Sequence, residues 1–361
     1  MPYRYNFTSE IVQLLQTVER ARTEVRLTIL PPAIVERLRR RARVRSSHYS
    51  TRIEGNRLTL READQVLSGG KVLKGRERDT LEVQHYFQAL AEIEAWTEKS
   101  LEINDERIRK LHALVFYGKR ARPSTYRDGQ NVIRDDAGGI VYLPPEAKDV
   151  PALMQELVSW VRAGEKELPI PIVAGIAHYQ FVTIHPFYDG NGRTARTLAT
   201  WILFRGGYDL GGFYSLEEFY AQDLQGYYNA LVTHPHHNYY EGRVDADLTG
   251  WLLYFLKGMA AVFEEVAREV RGSFIDGEES EDNLLRKLDR RARLVLGLFS
   301  RQEEITTADA ARLLGLSVRQ TRDLLTTWVD QGWIEVSVAA RKTRRYRLSA
   351  EYRRFIGGIK T

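Results

Sequence analysis

A single run of twelve residues, His185-Pro186-Phe187-Tyr188-Asp189-Gly190-Asn191-Gly192-Arg193-Thr194-Ala195-Arg196, holds most of the chain's capacity for chemistry. Gly190 and Gly192 flank Asn191, so the backbone can take positive φ and turn its N–H groups inward, forming a concave anion site where a helix begins. A phosphate suits such a nest. Asp189 beside it would repel phosphate unless a hard cation lay between them, and Mg2+ held by one carboxylate plus substrate phosphates answers that need. Arg193 and Arg196, spaced by one helical turn, can face the same point and offer bidentate contacts to phosphate oxygens. His185 is the nearby group whose ordinary pKa lies near neutrality, which makes it the natural general base. Each feature alone is commonplace, since Gly-Asn-Gly often marks only a turn. Their concentration in one short run points to phosphoryl or nucleotidyl transfer.

Positioning these groups requires a scaffold, and the flanking sequence predicts a mainly α one. Immediately upstream, Pro171 to Thr183 is apolar on nearly every face, the pattern of a helix buried at a domain centre, and downstream Thr197 to Phe204 continues as helix. Apolar residues recur at three- and four-residue spacing at Ile34 and Leu38, and again along Leu81, Phe87, Leu90, Ile93 and Trp96. These predict helices, with Pro31 and Pro32 breaking the first from the next. Asn104 to Gly118 reads as an amphipathic helix capped by Asn104 or Asp105, and Val150 to Ala163 as another. Between them, Tyr126 to Tyr142 sets β-branched residues on both sides of an Asp-Asp-Ala-Gly-Gly turn, which predicts a β-hairpin ended by Pro144 and Pro145.

The 361 residues include 53 Lys and Arg against 48 Asp and Glu, a net charge of +5, and 43% are hydrophobic, enough for the sizeable cores of two or three domains. The absence of cysteine excludes a disulfide scaffold, a thiolate zinc site and a cysteine nucleophile, and it suits a reducing compartment. No run approaches the ~18 apolar residues of a spanning helix, so no membrane partner and a cytoplasmic location are expected. Charge is unevenly spread: residues 284–361 hold 17 Lys and Arg against 8 Asp and Glu. Just before them, Arg271 to Asn283 is acidic and poor in apolar residues, as a linker is. Arg37, Arg39, Arg40, Arg41, Arg43 and Arg45 read as a solvated helix face. His234, His236 and His237, with no carboxylate at fixed spacing, read as a loop rather than a metal site.

The His185–Arg196 run resembles the Fic family signature HPF-x-[D/E]-G-N-G-R-x-x-R at every defining position. The resemblance implies a Fic helical core with a β-hairpin flap, and a protein adenylyltransferase that moves AMP from ATP to a hydroxyl of a target protein, itself included among candidate targets. It assigns His185 as the base, Asp189 to Mg2+ bridging the α- and β-phosphates, Gly190, Asn191 and Gly192 to cradling those phosphates, Arg196 to the γ-phosphate and Arg193 to support of that site. Toxin kinases of the Doc branch carry Lys where this chain has Gly192, which favours AMP transfer here. Ser50-Thr51-Arg52-Ile53-Glu54-Gly55 matches the family's inhibitory pattern [S/T]-x-x-x-E-[G/N], in the class with an N-terminal inhibitory helix. By that likeness Glu54 reaches Arg196 and displaces ATP from in-line attack. The hairpin becomes a flap that pairs with a target by strand addition, through Gln130 to Arg134, with Val132, Ile133 and Arg134 central, and through Ile140 to Leu143. Tyr227 and Tyr228 match a position lining the adenine pocket, although tyrosines on a helix serve equally as core. Another nucleotide donor, and removal of AMP, stay open.

After Lys287 the order helix, helix, turn at Gly315, helix, then two strands resembles a winged helix-turn-helix, a small α+β domain. Ser317 would cap its recognition helix, with Arg319, Gln320 and Arg322 near the start. Arg341, Lys342, Arg344, Arg345 and Arg347 fall in or near the wing, offset only by Glu335, which suits phosphate contacts. DNA and a homodimer are both open partners, and a DNA-binding regulator with an inert Fic core is the alternative to an enzyme. The expected organisation is a helical region at 1–100 containing the inhibitory helix, a catalytic core at 101–272, a linker at 273–283 and a winged helix at 284–361.

Overall fold

The computed structural model describes residues 3–28, 30–69, 72–134, 138–272, 288–300, 302–338, 344–349 and 352. The expected linker at 273–283, the start of the expected tail domain at 284–287, the hairpin residues Asp135, Asp136 and Ala137, and Arg341 and Lys342 lie outside the described residues. The protein is mainly α, with two small antiparallel sheets. In chain order it forms α1 (Ser9–Leu27), α2 (Pro32–Ile53), α3 (Leu60–Gly69), α4 (Glu77–Glu98), α5 (Asp105–Tyr117), β1 (Ile133–Arg134), β2 (Ile140–Tyr142) and α6 (Val150–Glu167). There follow α7 (Ile170–Ile184), α8 (Asn191–Arg205), α9 (Leu216–Gln222), α10 (Leu224–Leu231) and α11 (Thr249–Gly272). None of the described helices is long and apolar enough to cross a membrane.

Two compact units share the chain: Met1–Thr23 with Arg40–Val266, and Glu24–Arg39 with Ala267–Thr361. Most of the first hundred residues therefore belong with the core rather than forming a region apart. The physical reason is α4, which packs against both α5 and α8. Its buried stripe is Val83, Tyr86, Leu90, Ile93 and Trp96, while Leu81 of the expected pattern is exposed. Phe87 is half-buried with the Arg43 guanidinium 5.2 Å from its ring centre. At the centre α7, buried on every face as its sequence predicts, packs on α6 and α8. Asn104 caps α5 by accepting from the Arg107 N–H at 2.9 Å.

The hairpin is shorter than its sequence suggests. Pairing joins Ile133 to Tyr142 and Arg134 to Ile140 across an irregular register, and Val132 precedes the strand. Residues Gln130 to Val132 are held instead by side chains, with Gln130 Nε2 donating to the Pro144 carbonyl at 2.9 Å and Asn131 Oδ1 accepting from the Val132 N–H at 2.9 Å. Such local bonds compete with a ladder.

The C-terminal residues form α12 (Arg290–Leu296), α13 (Thr307–Leu314) and α14 (Val318–Asp330), with β3 (Ile305–Thr306), β4 (Ile334–Val338) and β5 (Arg345–Leu348) in the order β3-β5-β4. Leu288, Val295, Leu325, Trp328, Trp333 and Tyr346 share one core. Gly315, in the left-handed region at φ 64°, ends α13, and Ser317 with Gln320 builds a reciprocal cap on α14.

Candidate active site

The site begins where α7 stops. His185 ends that helix in the left-handed region at φ 51° and ψ 59°, an uncommon conformation for a residue with a Cβ and one that surrounding bonds must hold. Arg127, itself buried, does so: its Nε donates to the His185 carbonyl at 2.9 Å and its main-chain N–H to the Pro186 carbonyl at 3.0 Å. The same guanidinium also donates to the carbonyls of Gly129 and Pro145. The His185 Nδ1 contacts the Val182 carbonyl at 3.2 Å. A carbonyl only accepts, so Nδ1 carries the proton and Nε2 keeps a lone pair. Burial lowers the His185 pKa to about 4, with Arg127 pushing the same way, so the ring is neutral at pH 7.

The loop from Pro186 to Gly190 is shaped from within. Asn191 Oδ1 accepts from the Phe187 N–H at 3.0 Å and its Nδ2 donates to the Phe187 carbonyl at 2.8 Å. What Asn191 offers a ligand is therefore its main chain, in the opening turn of α8, whose N–H groups a helix cannot satisfy internally. His112 of α5 donates from Nε2 to the Asp189 carbonyl at 2.8 Å, meets the Ser124 hydroxyl through Nδ1 at 2.6 Å and stacks on Phe187 at 3.7 Å. Burial lowers its pKa to about 4, so it works as a neutral strut. Gly190 needs its lack of a side chain twice: its φ is 76°, and a Cβ would sit 3.0 Å from Phe116 and 3.1 Å from His112.

Both arginines are buried, with different partners. Arg193 lies 3.6 Å from Glu82 and from Asp189, and its Nε is buried without a hydrogen-bond partner. Arg196 donates from Nε to the Ser50 hydroxyl at 2.8 Å, and from Nη2 to the Ser50 carbonyl at 2.9 Å and Glu54 Oε1 at 2.8 Å. The structure thus brings Ser50 and Glu54 to Arg196, and Gly55 at φ 90° turns the chain just beyond them. At Gly192 a Cβ would fall 2.3 Å from Glu54 Oε1 and 3.2 Å from Arg196 Nη1. The carboxylate occupies the mouth of the nest.

The two tyrosines separate. Tyr227 is buried, stacked on Tyr220 at 4.8 Å with its hydroxyl 2.8 Å from His178 Nε2, whereas Tyr228 is 44% exposed and reaches the Ile53 carbonyl at 3.4 Å. Among the described residues no group of three or more His, Cys, Asp or Glu is placed to hold a metal ion. Asp189 instead presents one half-exposed carboxylate beside the nest. That donor set fits a hard cation whose remaining ligands come from phosphate oxygens and water. Val132, Ile133 and Arg134 lie at and before β1, and Ile140 and Val141 of β2 are exposed.

Elsewhere, His236 pairs with Glu241 at 2.7 Å within the loop, and Arg39, Arg40, Arg43 and Arg45 pair with Glu36, Asp64, Glu94 and Glu218. In the tail, Arg347 pairs with Glu335 at 2.8 Å and Arg345 with Glu304 at 3.3 Å, while Arg319 and Arg322 are exposed. Arg127, His112 and Glu82 are absent from the sequence reading. Arg127 and His112 act on main-chain carbonyls far away in sequence, which leave no mark on residue spacing.

The model of the Fic/DOC family matches residues 102–203. Protein adenylyltransferase Fic of Drosophila persimilis is 30% identical over 209 residues, covering 56% of this chain and 40% of that protein. The Drosophila grimshawi protein of the same name is 32% identical over 179 residues, 49% of this chain and 36% of its own. The chain thus spans less than half the length of these relatives. A Fic family protein from Desulfovibrio desulfuricans G20 superposes with a TM-score of 0.62 at 26% identity, over 97% of this chain and 99% of that one. Fic-1 (residues 134–508) from C. elegans shares the fold, with a TM-score of 0.57 at 23% identity over 74% of each chain. The loop that holds His185 and the turn of α8 that holds Arg196 therefore fall within the stretch that the model of the Fic/DOC family matches.

Proposed function

We propose that the protein is an adenylyltransferase that moves AMP from ATP to a hydroxyl side chain of a target protein, restrained by Glu54. The observation that carries this reading is the buried Arg196 guanidinium bound to a carboxylate delivered from α2, at the open nest beside a neutral histidine. A carboxylate oxygen at 2.8 Å stands where a phosphate oxygen would be held. With Glu54 withdrawn, the main-chain N–H groups of the first turn of α8 and Arg196 are free to orient the triphosphate. Asp189 would hold Mg2+, which supplies charge neutralisation at the phosphates. His185 Nε2 takes the proton of the target hydroxyl, so that its oxygen attacks the α-phosphorus and pyrophosphate leaves. Ile140 and Val141 offer an exposed edge for the target's backbone. The cysteine-free sequence suits a cytoplasmic setting.

The test is transfer of label from ATP into protein, with the label at the α- or the γ-phosphate. Label should pass from the α-position only. Glu54→Gly should raise the rate roughly ten- to hundredfold, the scale of one charge-assisted hydrogen bond. His185→Ala should lower it by roughly 10² to 10⁴. Transfer of γ-label, or of none in any variant, would discard the reading.

For the C-terminal residues we infer a winged helix that contacts DNA through α14. The support is the three-helix and three-strand order, the reciprocal cap on α14 and the exposure of Arg319 and Arg322 on its first turns.

A further inference from the structure

The restraint by Glu54 requires α2 to stay in place, and nothing in the Glu54–Arg196 pair alone accounts for that. The neighbouring helix α9 does. Its first turn carries two successive carboxylates, Glu217 and Glu218, and both turn toward α2. Glu217 is buried, and its oxygens accept three hydroxyl groups: Ser46 of α2 at 2.8 Å, Tyr86 of α4 at 2.8 Å and Ser215 at 3.1 Å. Glu218 takes both a guanidinium Nε–H and an Nη2–H of Arg45. One turn further along α2, Ser50 receives Arg196 through its hydroxyl and its carbonyl. The end of α2 that leads to Glu54 is therefore tied at two successive turns, by Ser46 to Glu217 and by Ser50 to Arg196.

We propose that Glu217 is the positioning residue of the brake: it fixes α2 from Ser46 onward against α4 and α9 and so keeps Glu54, just past the end of α2, on Arg196. This deepens the adenylyltransferase reading and rests on it. Glu217 touches none of the groups assigned to the reaction. Two physical features set it apart from an ordinary core contact. Burying a carboxylate is costly unless hydrogen bonds replace its water, and here three hydroxyls converge on it. Two of those hydroxyls come from α2 and α4, so the carboxylate ties α2 to α4 and α9 beside the Arg45–Glu218 pair. Removing it leaves Tyr86 and Ser46 without their acceptor and loosens α2 one turn before Ser50.

Binding of a fluorescent, non-hydrolysable ATP analogue tests this in the full-length protein, because structural damage would weaken binding whereas release of the brake strengthens it. Glu54→Gly sets the released limit. Ser46→Ala and Glu217→Ala should each tighten binding by on the order of two- to tenfold, the scale of a lost buried hydrogen bond. Glu217→Gln, whose amide can still meet all three hydroxyls, should stay at the wild-type value. Adding Glu54→Gly to Glu217→Ala should give no more than Glu54→Gly alone, since both act through one pair. Amide hydrogen exchange should rise over residues 46–54 in Ser46→Ala and Glu217→Ala, not in Glu217→Gln. Tighter binding in Glu54→Gly with none in Ser46→Ala or Glu217→Ala would overturn the role of Glu217. Unchanged binding in Glu54→Gly would overturn the brake itself, and the clamp with it.

Discussion

His185 has two properties that pull against ordinary histidine behaviour: a left-handed backbone and a ring whose pKa burial has lowered from 6.5 to about 4. A base that stays neutral this far down does not switch off near pH 6. The acid limb of the labelling rate in Glu54→Gly should therefore fall near pH 4, and a limb centred near 6.5 would remove His185 from the base role. The same shift recurs at His48 and His112, to about 4, and at His178, to about 3. Each of these rings binds its proton more readily in the unfolded chain than in the folded one. Stability should therefore be full above pH 6.5 and be lost as pH falls from there through the folded values near 4 and 3. Denaturant melts at neutral pH and near pH 5 would show the loss, and His178→Gln should flatten part of that slope.

At the scale of elements, the site depends on how one loop is tied down between α7 and α8. Arg127 bonds four main-chain carbonyls through its side chain and its own N–H. Arg127→Ala should lower the turnover of Glu54→Gly by about a hundredfold through misplacement of His185, with little change in ATP affinity. Equal losses in both would mean that the loop as a whole had collapsed. The run from His185 to Arg196 was legible because its parts are contiguous, so spacing alone put a histidine, a carboxylate, a Gly-Asn-Gly turn and two guanidinium groups together. The apolar character of α7 announced its central place. Glu54 was legible only through its family likeness, since Arg196 lies 142 residues away. Arg127, His112 and Glu217 were not legible, because their partners are distant carbonyls and hydroxyls that any sequence supplies. The hairpin was read too long for a related reason: Gln130 and Asn131 spend their side chains on the backbone, a choice that β-branched texture does not reveal.

At the scale of the whole molecule, the chain forms two compact units, one holding the proposed nucleotide site and the other the basic C-terminal residues with a core of their own. The basic charge of that region is partly neutralised, since Arg345 and Arg347 face Glu304 and Glu335. This leaves Arg319 and Arg322 of α14 as the exposed cations of the proposed recognition helix. The full chain should bind duplex DNA with an affinity that falls as salt rises, and replacing both arginines by alanine should reduce the slope of log affinity against log salt by about two. A slope unmoved by both substitutions would assign the region to protein contacts instead.

In the proposed enzyme, the Glu54 carboxylate, seated 2.8 Å from Arg196 by the chain that carries it, would act as a tethered competitor with a local concentration that dilution cannot lower. ATP in solution would compete with it by mass action, so on that proposal a rising nucleotide pool would relieve it only in proportion and set no threshold. Moving α2 abolishes the competitor altogether. On that proposal a sharp response would have to come from whatever shifts that helix, with the nucleotide supply serving only as fuel.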